Sequence, residues 1–174
     1  MKSYSVLILF LIFALGFMTR YSFSDPIELN SQTNQKIEKL YSEFQHLFPA
    51  IQTINADEVN KRNPVEKAVI VDVRTPAERK VSFIPGSISQ TEFEKNNTKY
   101  KGFKIIAYCT IGYRSAQFAQ TITTLGFEVY NLKGGILSWV NSGLPIVDAN
   151  GPTRKVHVYG RKWNLIPKSY EAIW

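Results

Sequence analysis

The sequence is poor in the residues that most often mark a site, with one cysteine, two histidines and two methionines in 174 residues. The single cysteine, Cys109, leaves no partner for an internal disulfide, so any fold must be held by its core. The histidines, His46 and His157, stand far apart with no ligand spacing around either, which argues against a metal site. Nothing in the sequence asks for a cofactor. There is no low-complexity tract, and charged residues are only 20%, so disorder is not expected. Dense basic blocks are also missing. The formal charge is +7, yet beyond short pairs such as Arg154-Lys155 and Arg161-Lys162 the basic residues are scattered among Asp and Glu. This reads as a solvated basic surface, and nucleic acid is not an expected partner.

What is present begins with a distinct N-terminus. Lys2 precedes an apolar run from Val6 to Met18, then Thr19-Arg20, then Ser22-Phe23-Ser24. A positive start, an apolar stretch and a small-x-small site form the pattern of a secretory signal. The run is shorter than the ~20 apolar residues that comfortably span a bilayer. Residues 1–24 are therefore expected to be a signal peptide cut after Ser24, which makes the protein periplasmic or secreted. The alternative is an uncleaved anchor with the globular part outside the cytoplasm, and only then is the membrane a partner. The remainder, 44% hydrophobic over the whole chain, suffices for one core. It is expected to be monomeric.

An amphipathic helix is expected over 31–48 within an N-terminal segment 25–49, with Ile37, Leu40, Tyr41, Phe44, Leu47 and Phe48 on one face. Ile51 to Ile54 reads as a short strand and Asn55 or Asp57 as the cap of a brief helix. The β-branched run Ala68 to Arg74 has the pattern of a strand buried on both faces. Thr75-Pro76-Ala77-Glu78 opens a helical turn, Ile84 to Ile88 is a turn into a short strand, and 90–99 is helix-like. A second buried strand, Lys104 to Tyr108, ends at Cys109. A helix from Ser115 to Leu125, with Leu125 inward, is closed by Gly126. Val129 to Leu132 is a strand, and Gly134-Gly135 leads into a helix through Trp139, itself a core residue. Strands alternating with helices predict an α/β domain over 50–147 with a mostly parallel sheet. In such sheets ligands bind beyond the carboxyl ends of the strands, where Cys109 stands.

The loop Cys109-Thr110-Ile111-Gly112-Tyr113-Arg114-Ser115 joins this strand to a helix. The first backbone N–H groups of a helix have no intrahelical partners and, with the helix dipole, form a cradle for an anion. Such a cradle suits a thiolate, the nucleophilic form of cysteine, and equally the outer sulfur of a persulfide. Gly112 lets the loop curl, and Arg114 supplies a cation able to hydrogen-bond an oxyanion. Cys109 is thus the candidate catalytic residue, with Thr110, Ile111, Gly112, Tyr113, Arg114 and Ser115 as candidate substrate-binding positions.

Three blocks of this chain resemble the rhodanese-like domain family. The first is Val71-Asp72-Val73-Arg74-Thr75-Pro76-x-Glu78 with Ile84-Pro85-Gly86-Ser87-Ile88. The second is the Cys109 loop. The third is Asn131-Leu132-x-Gly134-Gly135-Ile136-x-x-Trp139-x-x-x-Gly143-Leu144-Pro145. The resemblance covers about residues 50–147 and implies a five-stranded, mostly parallel sheet flanked by helices, here with an N-terminal helix and a C-terminal extension. It implies a sulfurtransferase that forms a persulfide on Cys109 and passes sulfur on. The donor would be thiosulfate, a polysulfide or a persulfide, and the acceptor a thiol, cyanide or a protein. The spacing from Cys109 to Arg114 is similar to that of the sulfur-handling members, one residue shorter than in the related phosphatases and arsenate reductases. Thr110 stands where members that use thiosulfate well often carry a basic residue, which points toward polysulfide or persulfide donors. Ser82-Phe83 replaces the family's usual Gly-His. The alternative function is a non-turnover sulfur-delivery or protein-interaction module on the same fold.

Asp72, Arg74 and Glu78 are expected to brace the loops near the site. The extension, 148–174, alternates basic or polar with apolar residues and carries Tyr159, Trp163, Tyr170 and Trp174. It either packs on the domain and buries its aromatics, or borders the loop mouth or docks a partner, and its spacing does not decide between these.

Overall fold

The computed structural model describes residues 31–62 and 66–174, so the expected signal over residues 1–24 lies outside the described residues. Helix α1 (Ser31–Gln45) leads to strand β1 (Gln52–Ile54) and the short helix α2 (Ala56–Lys61). Strand β2 (Ala68–Asp72), helix α3 (Pro76–Val81), strand β3 (Ile88–Ser89) and helix α4 (Gln90–Asn96) follow. Then come strand β4 (Lys104–Tyr108), helix α5 (Tyr113–Thr123), strand β5 (Glu128–Leu132) and helix α6 (Gly135–Asn141).

The five strands form one sheet in the order β1-β5-β4-β2-β3, every pair parallel. The period-2 alternation of the strands sorts the core into two layers. Val69, Val71, Ile105, Ala107 and Val129 point to one face, where Phe93 of α4 and Phe118, Ala119 and Ile122 of α5 cover them. Ile70, Ile106, Tyr108 and Leu132 point to the other, against Ile37 of α1, Val59 of α2 and Ile136, Leu137 and Val140 of α6. A sheet buried on both faces explains why β2 and β4 read as continuous apolar runs. Burying each of these Val, Ile and Leu side chains contributes about 1.5–3 kcal/mol.

The chain departs from expectation mainly at element ends. Strand β2 stops at Asp72 because the Arg74 N–H turns back to the Asp72 carboxylate at 3.0 Å. Helix α1 stops at Gln45, and the turn that follows carries Leu47 out to 53% exposure while Phe48 stays buried. Likewise α5 ends at Thr123, so Leu125 lies in the closing turn and is 55% exposed rather than inward. Gly126 has the positive φ, 80°, expected of a left-handed cap. Trp139 is core, its indole N–H donating to the Pro145 carbonyl at 2.8 Å.

The extension is ordered on the domain. Strands β6 (Ile146–Asp148) and β7 (Gly151–Thr153) form a hairpin, while β8 (Lys155–His157) pairs in parallel with β9 (Glu171–Ile173). Val156 and Val158 are fully buried in the α1/α6 layer, and Asn141 of α6 donates to the Leu165 carbonyl at 2.7 Å. These contacts swing the intervening segment across the carboxyl end of the sheet.

Candidate active site at the end of the fourth strand

Strand β4 lies between β5 and β2, and Cys109 continues its alternation one residue past the end, on the face of Ile105 and Ala107. The loop returns at once into α5. Its first i to i−4 bond runs from the Ala116 N–H to the Gly112 carbonyl at 3.1 Å, which leaves the N–H groups of Tyr113, Arg114 and Ser115 in the unpartnered first turn. The Gly112 N–H donates to Cys109 Sγ at 3.1 Å, so the cradle closes on the sulfur. Gly112 is required twice over. Its φ is 115°, and a Cβ there would stand 2.7 Å from the Tyr41 ring.

The loop is held from below by α6. The Ile136 N–H donates to the Cys109 carbonyl at 2.9 Å and the Leu137 N–H to the Thr110 carbonyl at 3.3 Å. A Cβ on Gly135 would collide with both of those carbonyls, and one on Gly134 with the Ser138 side chain, which accounts for the glycine pair at the start of α6. From the side, the Asn131 amide donates to the Gly112 carbonyl at 2.9 Å and to the Tyr41 hydroxyl at 3.2 Å, and it accepts from Ser115 at 2.7 Å. Burial, against the Asn131 hydrogen bond, pushes the Tyr41 phenol up to about 12.

Two ion-pair clusters frame this loop. In the first, Asp72 receives Arg74 through Nε and Nη2 at 2.9 and 2.8 Å, Arg79 at 3.2 Å and the Tyr108 hydroxyl at 2.6 Å. The Asp72 and Arg74 side chains are wholly buried, and Arg74 Nη2 also holds the Ser82 carbonyl. In the second, Glu78 receives both terminal nitrogens of Arg114, at 2.8 and 2.7 Å, and the Thr110 hydroxyl at 3.3 Å. Glu78 is positioned by a capping box with Thr75, one turn into α3. Burial alone would raise the Glu78 carboxyl, but the Arg114 guanidinium and the Thr75 donors outweigh it and hold it down at about 2.

Above the sulfur is a cleft of about 260 Å³. Cys109, Thr110 and Ile111 line its floor, Tyr113 and Arg114 one side, and Phe44, Tyr159 and Trp163 the remainder. Of the candidate binding residues, Ser115 is turned away. It is fully buried and its hydroxyl is given to Asn131, leaving only its backbone near the loop. Arg114 lines the cleft with its terminal nitrogens already committed to Glu78. Sequence reasoning left out Asn131, Tyr41 and Phe44 as site residues, because each reads as an ordinary core position of its strand or helix. Among the described residues no cluster of His, Cys, Asp and Glu could hold a metal ion.

The family model of the rhodanese-like domain matches residues 55–142. A sulfurtransferase of Allochromatium vinosum is 31% identical over 112 residues, which cover 58% of this chain and 99% of that protein. A Rhodopseudomonas palustris protein of unknown function, described as a possible tyrosine phosphatase, has a similar fold. Its TM-score is 0.50 at 26% identity, over 63% of this chain and 92% of that one. The thiosulfate sulfurtransferase of Pseudomonas aeruginosa, at 23% identity and a TM-score of 0.51, shares the fold over 67% of this chain and 23% of its own.

Proposed function

The chain belongs to the rhodanese-like domain family, whose sulfurtransferase relatives support a role in sulfur transfer, and we propose that it is an exported sulfurtransferase carrying sulfane sulfur on Cys109. The observation that carries this reading is the Gly112 N–H at 3.1 Å from Cys109 Sγ, beneath a cleft open to small molecules. In the first half-reaction the Cys109 thiolate attacks the outer sulfur of a donor. A new S–S bond forms, the donor's bond to that sulfur breaks, and the donor leaves with the bonding electrons. In the second, an acceptor nucleophile attacks the outer sulfur of the persulfide and Cys109 is released as thiolate, the ping-pong course of covalent catalysis. The loop amides stabilise the anionic sulfur in both halves.

The loop has four residues between Cys109 and Arg114. That length favours sulfur over the larger phosphoryl group, so a phosphatase activity is not proposed. Export rests on the sequence pattern of residues 1–24. A second reading, delivery of sulfur to a partner without turnover on small donors, is favoured by one observation: Arg114 is held by Glu78 instead of standing free for a leaving anion. Steady-state sulfur transfer to cyanide separates the two. Repeated turnover that disappears in Cys109→Ser supports the enzyme. Loading of Cys109 that stops after a single equivalent supports delivery.

A further inference from the structure

Three of the residues that wall the cleft over Cys109 come from outside the matched domain. Phe44 is contributed by α1, and Tyr159 and Trp163 by the extension, whereas the family match spans 55–142. Of the lining aromatics, Phe44 and Tyr113 meet edge to face at 5.5 Å, and they are backed by buried Tyr41, 5.0 Å from Phe44, and Phe48, 5.7 Å from Tyr113. Arg114 is the one cation among the residues lining the cleft. Its charge is matched by the buried Glu78 carboxylate, and its guanidinium faces the Tyr159 ring at 5.5 Å. Tyr159 is kept over the opening by a backbone turn with φ 67°, its N–H donating to His157 Nδ1 at 3.2 Å.

The loop amides lie at the floor and serve the transferred sulfur, so an anionic R group above it would lose water against aromatic walls and meet the Glu78 carboxylate behind the one lining cation. An apolar group loses nothing of that kind and fits the lining. We infer that the Cys109 site selects apolar organic persulfides, R–S–SH with an alkyl or aryl R, through the aromatic walls that Phe44, Tyr159 and Trp163 build above it. The inference rests on the proposed persulfide chemistry at Cys109 and names its donor. In the step, Cys109–S⁻ attacks the terminal sulfur of R–S–SH and forms Cys109–S–SH. The donor's S–S bond breaks and R–S⁻ leaves with the electron pair, so no outside oxidant or reductant is required.

The test uses the full chain and two donors of matched chemistry, benzyl persulfide and the anionic carboxymethyl persulfide, with cyanide as acceptor and thiosulfate as a third donor. Each kcat/KM is divided by the donor's uncatalysed reaction with a simple thiol. The wild-type protein is expected to favour benzyl over carboxymethyl by about tenfold or more, the range in which an apolar pocket discriminates. Trp163→Ala is expected to reduce that ratio by about tenfold, as loss of a pocket wall does. Tyr159→Lys, at a position 64% exposed and so remote from folding, is expected to move it toward the anionic donor. Equal or better use of carboxymethyl persulfide by the wild-type chain, or a ratio unmoved by both variants, overturns the inference while leaving persulfide transfer standing. Failure of every donor to load Cys109 overturns the transfer reading and this inference with it.

Discussion

Glu78 grips both terminal nitrogens of Arg114, at 2.8 and 2.7 Å, and in doing so ties the start of α3 to the first turn of α5 across the mouth of the Cys109 loop. The pair fixes the loop's outer edge and neutralises its one cation. Removing the carboxylate charge leaves a guanidinium 31% exposed with only the Thr110 hydroxyl and the Tyr159 ring beside it, so Glu78→Gln is expected to destabilise the fold by about 1–3 kcal/mol in urea unfolding.

The same carboxylate predicts a pH dependence. Its folded-state value is about 2 against an ordinary 4.5, so its contribution is fully present above about pH 4.5 and is lost as pH falls toward 2. The wild-type unfolding free energy should decline through that window, and the decline should be shallower in Glu78→Gln. Equal slopes in the two proteins contradict the assignment.

Gly112→Ala combines a left-handed backbone with a Cβ 2.7 Å from the Tyr41 ring. The strain alone costs about 1–3 kcal/mol. The loop must also shift, which moves the Gly112 N–H away from the sulfur. Calorimetry should show a lowered Tm, and rapid-quench loading should show slower persulfide formation.

Asn131→Ala removes two donated bonds and one accepted bond behind the loop. Each buried group left without a partner costs about 1–3 kcal/mol. Because the Gly112 carbonyl is among them, sulfur loading should slow as well, in contrast to a core truncation such as Val129→Ala, where stability falls and loading of the folded protein does not.

Asp72→Ala strands the wholly buried Arg74 guanidinium, and breaking a buried pair in this way costs about 3–5 kcal/mol. Equilibrium unfolding of the variant measures it directly.

The parallel sheet was legible because its strands are buried on both faces, so β2 and β4 appear as unbroken runs of Val and Ile bounded by turn residues. Cys109 was legible as a candidate site because a strand end, a glycine and a helix start converge on it within six residues. Element ends were less so. Asp72 ends β2 by accepting the N–H of Arg74, two residues on, and nothing in Val73-Arg74 signals that locally. The commitment of Arg114 to Glu78 depends on two residues 36 apart in sequence, and Asn131 with Tyr41 on a contact spanning 90. Side-chain pairs at such separations leave no periodic trace. The extension's placement over the cleft follows from Val156 and Val158 entering the core, which sets where Tyr159 and Trp163 fall, and its alternation alone was equally compatible with a tail lying elsewhere.

The central claim is that Cys109 carries sulfur, and intact mass spectrometry tests it most directly. The protein, with its thiol shown to be free, is incubated with a polysulfide or an organic persulfide beside Cys109→Ser. A gain of one sulfur atom's mass in the wild-type chain alone, reversed by cyanide or a thiol, is the predicted result. An unchanged mass with every donor, or the same gain in Cys109→Ser, contradicts it.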